Sequence, residues 1–181
     1  MNDMPKVSII MGVYNCKDEA QLIKSVDSIL NQTVSDFEFL ICNDGSSDKT
    51  LDELNKIAKK DPRIKILTYD NNMGIHHALN TCLKEAKGEY IARQDDDLSK
   101  PERLKVQLEF LDEYQEYAMV GTCADVFDDE GMWGEFLVPE APKKEDFLWN
   151  SPFMHLTMMM RKTALLSGGQ RSKRNKAMRR L

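Results

Sequence analysis

No apolar stretch in this chain exceeds about six residues, whereas a membrane helix needs roughly 20, so no spanning helix is expected. The start has no basic segment followed by an apolar run, which argues against secretion. The four cysteines (Cys16, Cys42, Cys82 and Cys123) stand 26 to 41 residues apart with no CxxC. Metal or redox use of them is therefore not expected, and they read as reduced core cysteines of a cytosolic protein. There is no low-complexity segment, linker or internal repeat. No GxGxxG follows the first apolar run and no GxxxxGK[ST] occurs, which removes the dinucleotide fingerprint and the P-loop. GxSxG is missing too, and with it the usual hydrolase elbow. What remains is 181 residues, 41% apolar, enough for one globular domain with a core of its own.

The formal charge of −5 hides an asymmetry. Residues 161–181 hold eight Lys/Arg and no Asp/Glu, leaving 17 basic and 30 acidic residues before them, a net of −13. An acidic body disfavours nucleic acid as a partner. The basic end suits a peripheral contact with anionic lipid, or else a solvated terminus.

Short apolar runs alternate with amphipathic segments along the first hundred residues. Val7–Val13, Phe37–Cys42, Ile64–Tyr69 and Glu89–Arg93 read as strands, rich in β-branched and aromatic residues. Between them Leu22, Val26, Ile29 and Leu30, then Leu51, Leu54, Ile57 and Ala58, then Ile75, Leu79, Cys82, Leu83 and Ala86 recur at helical spacing. Ser46 or Ser47 is expected to cap the second helix. The order β-α-β-α-β-α-β with short connections predicts an α/β fold: a mostly parallel, doubly wound sheet with helices on both faces. Ser99 and Glu102, with Pro101 between them, have capping-box spacing for a fourth helix carrying Leu104, Leu108 and Leu111. Ala118–Phe127 and Glu135–Val138, around a turn at Asp128–Gly131, read as a hairpin. Met154–Met160 reads as a further strand, 161–166 as a short helix broken by Gly168-Gly169. The boundaries are 1–117 for the nucleotide-binding type of α/β half, 118–167 for a smaller second half and 168–181 for a basic tail.

Ligands of such sheets bind beyond the carboxyl ends of the strands. Three polar clusters fall there: Tyr14-Asn15, Asn43-Asp44-Gly45, and Gln94-Asp95-Asp96-Asp97. Three consecutive carboxylates repel one another unless solvent or a cation intervenes. Asp95 and Asp97 share a face of an extended segment, and two carboxylates with waters and diphosphate oxygens suit Mg²⁺ or Mn²⁺. The plainer reading is a solvated acidic turn. Asp44 can accept from a nucleobase imide N–H, or close an Asx turn. Tyr14 can stack on a base and Asn15 fix the loop or touch ribose, or Tyr14 can simply pack the loop on the sheet. Arg93 can meet phosphate or pair with Asp96. His76 and His77 face different sides of a helix, so they do not share a metal. His155, among methionines, reads as a hydrogen-bonded strand histidine.

Together these segments resemble the family 2 glycosyltransferases. The resemblance rests on Val7–Ile10 through Tyr14-Asn15, Ser28–Thr33, Phe37-Glu38, Asn43–Thr50, Asn72–Gly74, Ala86–Ile91 and the acidic triplet. It covers about residues 5–166. It implies the GT-A fold and inverting transfer of a sugar from a nucleotide-sugar, a UDP-sugar first of all, to a glycan or lipid-linked acceptor of bacterial polysaccharide assembly. It also implies a cytoplasmic setting, at most peripheral at the inner face of the plasma membrane. By position, Asp44 is similar to the base-reading residue, and Val13, Tyr14, Asn15 and Arg93 line the nucleotide site. Asp95 and Asp97 match the DxD pair that holds the divalent cation, Mn²⁺ or Mg²⁺, and Asp96 the residue near the donor sugar. The segment Asn150–Thr157 resembles the acceptor-side segment, which puts His155 at the site.

One departure stands out. Family members take the general base from an acidic pair beyond the Gly-Gly stretch, but no Asp or Glu follows Asp146 here, so the chain reads as C-terminally truncated. The catalytic base is therefore unassigned, with Asp125 or Asp146 as substitutes. The alternatives are a nucleotide-sugar-binding module without turnover, and a metal-dependent nucleotidyltransferase. The latter would want a basic Gly-rich loop after the first strand, which is absent.

Overall fold

Strand β1 (Val7–Val13) lies at the middle of the sheet because both its faces are apolar and buried. It pairs in parallel with β2 (Phe37–Asn43) on one side and β4 (Tyr90–Arg93) on the other, and β3 (Ile64–Thr68) adds in parallel to β2. The computed structural model describes residues 4–143, 145–146 and 151–166. The Gly168-Gly169 break and the basic stretch to Leu181 lie outside the described residues.

Helices α1 (Glu19–Leu30) and α2 (Thr50–Ala58) cover one face of the sheet with α4 (Arg103–Glu113). Leu22, Val26, Ile29, Leu54, Ile57, Leu104 and Leu111 pack there against Ile9, Met11, Phe39 and Ile41. Helix α3 (Ile75–Glu85) covers the other face, with Ala78, Leu79 and Cys82 against Ile10, Leu40, Cys42 and Ile91. Each fully buried Leu or Ile contributes about 1.5–3 kcal/mol through apolar area removed from water. The expected helices on both faces of a mostly parallel sheet are present.

The second half completes the same sheet. Strand β8 (Met159–Arg161) pairs antiparallel with β4 and with β5 (Met119–Val120), giving the order β3-β2-β1-β4-β8-β5. Strands β6 (Ala124–Asp128) and β7 (Gly131–Phe136) form a separate two-stranded sheet. Helix α5 (Lys162–Leu166) follows β8 directly.

Four local expectations are corrected. The run 118–127 is not one strand: it splits at Gly121, its first piece joining the main sheet and its second the hairpin, whose other arm is Gly131–Phe136 rather than 135–138. Residues 154–158 are not strand either. His155–Thr157 form a single 3-10 turn, closed where the Thr157 N–H and Oγ1 both donate to the Met154 carbonyl, at 3.1 and 3.0 Å. Neither Ser46 nor Ser47 caps α2, whose first amide is bonded by the Asp48 carboxylate at 2.9 Å. The Ser99–Glu102 capping box does not form. The Gln32 side chain from the end of α1 reaches across instead, accepting from the Leu104 N–H at 3.0 Å and donating to the Lys100 carbonyl at 2.8 Å. That frees Ser99 Oγ to donate to Gln94 Oε1 at 2.8 Å.

Candidate functional site

The chain leaves β1 toward β2 on one side and reaches β4 on the other, so the winding direction reverses between β1 and β4. The carboxyl ends of adjacent strands diverge there and open a crevice. Val13 and Tyr14 stand on one wall, Arg93 to Asp97 on the other. The Val13 carbonyl accepts from the Asp44 N–H at 2.8 Å, which brings the end of β2 into the same edge.

The loop after β1 is laced to the loop after β2. Asn15 is in the left-handed region, φ 43°, which Asn tolerates better than most residues. In that pose its N–H donates to Ser46 Oγ at 3.0 Å and its Oδ1 accepts from the Ser47 N–H at 2.9 Å. The Cys16 N–H donates to Thr50 Oγ1 at 2.8 Å. Tyr14, just before the turn, keeps 49% of its surface exposed, and is free to offer a ring face to a planar ligand.

Asp44 is 3% exposed and fully engaged. Its Oδ1 accepts from Tyr69 Oη at 2.5 Å and the Met73 N–H at 2.8 Å. Its Oδ2 accepts from Asn72 Nδ2 at 3.1 Å and the Gly74 N–H at 2.9 Å. Four donors match the four lone-pair positions of a carboxylate. The carboxylate thus ties the start of α3 to the end of β2, where the helix dipole favours negative charge. An imide N–H reaching Asp44 would have to replace one of these donors. Burial, then donation to Asp44, pushes the Tyr69 hydroxyl well above its ordinary pKa. Tyr69 is held from the other side by an edge-on contact with His77, centroids 5.0 Å apart.

The acidic loop is fixed by its backbone. Ser25 Oγ donates to the Asp95 carbonyl and Gln21 Nε2 to the Asp96 carbonyl, both at 2.7 Å. Gln94, 2% exposed, donates to the Asp97 carbonyl at 2.6 Å and to Ser25 Oγ at 3.0 Å. Asp96 and Asp97 are exposed. Asp97 carries its carboxyl above the usual range, first through burial of part of the group, then through Asp96 and Asp95. Arg93 does not pair with Asp96. It meets Asp95, because residues two apart on an extended run share a face, and it does so through Nε and Nη2 at 3.0 and 2.9 Å.

The described residues include no group of three or more His, Cys, Asp or Glu side chains suited to hold a metal. A pair completed by diphosphate oxygens is the arrangement these residues fit. Asp97, with like charges beside it and raised proton affinity, gains from a hard cation, which prefers such oxygens. Asp95 fits only once it parts from Arg93.

Sequence reasoning placed Arg103 as nothing more than part of a helix, yet the structure gives it a central position. It is buried with no carboxylate partner among the described residues, and burial alone brings its pKa down to about 10. Nη1 donates to the carbonyls of Arg93 and Leu156, both at 3.1 Å. The end of β4 is thereby joined to the 3-10 turn that His155 opens. His155 is exposed, with Nε2 3.1 Å from Ser151 Oγ. Gln21, Ser25 and Gln107 were also missed. Polar residues on apolar helix faces were the available signal: Gln107 Nε2 donates to the Thr157 carbonyl at 2.6 Å from a fully buried position. Of the two acids considered as substitute bases, Asp125 is paired with Lys100 at 2.7 Å and Asp146 accepts from the Lys143 N–H.

The doubly wound sheet has a polar crevice at its switch point, and comparison with solved structures places it in the GT-A fold. Staphylococcus aureus TarS 1-349 in complex with UDP-GlcNAc superposes with TM-score 0.71 at 22% identity, over 97% of this chain and 56% of that one. Mannosyltransferase PcManGT from Pyrobaculum calidifontis, in complex with GDP-Man and Mn²⁺, gives TM-score 0.68 at 18% identity, over 92% and 47%.

The chain belongs to the Glycosyl transferase family 2, whose family model matches residues 8–168. It is 44% identical over 170 residues to the putative glycosyltransferase EpsE of Bacillus subtilis, covering 91% of this chain and 59% of that protein. It is 45% identical over 113 residues to hyaluronan synthase of Pasteurella multocida, over 61% of this chain and 11% of that one. The chain thus spans roughly half to three fifths of the longer-matching curated relatives. No helix among the described residues is long and apolar enough to cross a membrane.

Proposed function

We propose that this chain forms the donor half of an inverting, metal-dependent glycosyltransferase that takes its sugar from a nucleoside diphosphate, UDP first of all. The observation that carries this is the convergence of Tyr14, Asp44 and Arg93 to Asp97 on one crevice in a family 2 chain. Tyr14 stacks on the base, and Val13 and the Asn15-laced loop form the floor beside it. Asp44 reads the imide edge by exchanging Tyr69 or Asn72 for the base. Asp96 faces the donor sugar. Asp95 and Asp97 hold a divalent cation, Mn²⁺ or Mg²⁺, which when bound offsets the negative charge that builds on the departing diphosphate. Arg93 adds a guanidinium fork to the same phosphates. His155 lines the acceptor side, tied to the donor wall through Arg103. The acceptor is a glycan or lipid-linked glycan, approached from the cytoplasmic face of the membrane, with the basic stretch from Arg171 to Arg180 as the peripheral contact.

A second reading, a nucleotide-sugar-binding module without turnover, is favoured by one observation. An inverting transfer needs a general base for the acceptor hydroxyl, and Asp125 and Asp146 are both engaged elsewhere. Calorimetric titration with UDP, GDP, ADP and CMP, each with and without Mn²⁺, tests the donor site. Metal-dependent binding of one nucleotide is expected, and no binding of any refutes it. Transfer from the matching nucleotide-sugar then separates the two readings.

A further inference from the structure

Arg93 and Asp95 leave β4 on the same face and meet as a two-pronged pair, so both oxygens of Asp95 are taken. The pair still reaches solvent, the two side chains being 24% and 25% exposed. The main chain around it is pinned. The Arg93 carbonyl accepts from Arg103 Nη1, and those of Asp95, Asp96 and Asp97 accept from Ser25, Gln21 and Gln94. The Arg93 and Gln94 amides donate to the carbonyls of Met158 and Ile10 at 2.9 and 3.0 Å. With the backbone held on both sides, rearrangement here is a matter of side-chain rotamers.

We propose that Arg93 is an internal counter-cation, holding Asp95 away from a divalent cation until a diphosphate arrives. It then passes its fork from the carboxylate to the phosphate as the cation takes Asp95. This rests on the donor-site reading above. Both halves of the exchange match in chemistry. A guanidinium forks onto phosphate as it does onto carboxylate, and a hard dication takes carboxylate oxygens. Charge stays balanced throughout, since Arg93 never leaves one anion without meeting another. Cation and diphosphate therefore reinforce each other's binding, reciprocally.

The test follows free Mn²⁺ by its EPR signal and nucleotide binding by calorimetry, in wild type, Arg93→Lys, Arg93→Gln and Asp95→Asn, with melting curves to confirm folding. Without nucleotide, Mn²⁺ is expected to bind both Arg93 variants about three- to tenfold tighter than wild type, as for release of a well-aligned pair. With Mn²⁺ present, UDP is expected to bind both more weakly. In EDTA, UDP is expected to bind Asp95→Asn more tightly than wild type, because Arg93 is released to the phosphates. A gain in Mn²⁺ affinity for Arg93→Gln with none for Arg93→Lys would mean that net charge acts rather than the fork, and overturns the proposal. So does unchanged or weaker Mn²⁺ binding in both. If UDP binds none of the proteins while the Mn²⁺ gain persists, the donor-site reading and the transfer to phosphate fall, and the block that Arg93 places on Asp95 is supported.

Discussion

Replacing Asp44 by Ala separates a structural anchor from a base reader. The carboxylate is buried and receives four donors, two of them backbone amides at the start of α3. Hydrogen bonds to a charged group are worth about 1.5–3 kcal/mol each, and a buried donor left unpaired costs about 1–3 kcal/mol. The four are not additive, since the Tyr69 and Asn72 side chains can rotate away and find other partners. The amides of Met73 and Gly74 belong to the backbone leading into α3 and cannot rotate away, and they dominate. Losing them, with about 0.3–1 kcal/mol of helix-dipole interaction, gives an expected cost of about 3–5 kcal/mol. For a chain of this size 1 kcal/mol is about 2–4 °C, so the melting temperature should fall by about 6–20 °C. Asp44→Asn keeps the shape but turns one end into a donor facing donors, and should cost about half as much. Denaturant titration and a thermal scan measure both. A fall of less than about 2 °C in Asp44→Ala would refute the anchoring argument. Below the melting transition, UDP should weaken more than inorganic pyrophosphate in this variant, and equal losses would remove the base-reading role.

Other perturbations follow from the same geometry. Asp97→Asn is expected to raise the melting temperature at neutral pH. The folded-state pKa of Asp97 is raised, so its contribution is fully favourable only below the ordinary carboxylate pKa and is lost as pH rises through the folded value. The gain should shrink as pH falls through that raised folded value and vanish below about 4, and a gain independent of pH would contradict the assignment. Gln94→Ala should loosen the acidic loop by releasing the Asp97 carbonyl and Ser25 Oγ, costing about 2–3 kcal/mol. It should also weaken Mn²⁺-dependent UDP binding, and unchanged stability would sink this reading. Gly45→Ala should cost more than about 1 kcal/mol in denaturant melts, because Gly45 has φ 65° and a Cβ there would sit 2.4 Å from the Asn71 backbone carbon. A neutral result would show that the turn between β2 and α2 is free to shift away from the Asn71 backbone.

The sequence by itself determined the layered α/β architecture. Periodicities of two and of 3.6 residues dictate which faces are buried, and short connections leave a parallel sheet as the one way to bury them. It also determined where the polar clusters gather, since polar residues beyond three apolar strands can only collect at their carboxyl ends. Tertiary structure decided the partners. Nothing near Ser99 in the chain announces that Gln32 caps α4, because the capping group comes from another helix. Nothing around Leu104 marks Arg103 as the bolt between β4 and the His155 turn, since its acceptors are carbonyls 10 and 53 residues away. The split of 118–127 and the 3-10 turn at 155–157 went unread for a related reason. Short edge elements take their conformation from the strands that they join, and their own side-chain pattern is too brief to outweigh that pairing. Asp44 and Arg93 were legible as residues of the crevice. Which donors saturate the first, and which carboxylate engages the second, were settled by side chains and amides that only the folded chain brings within reach.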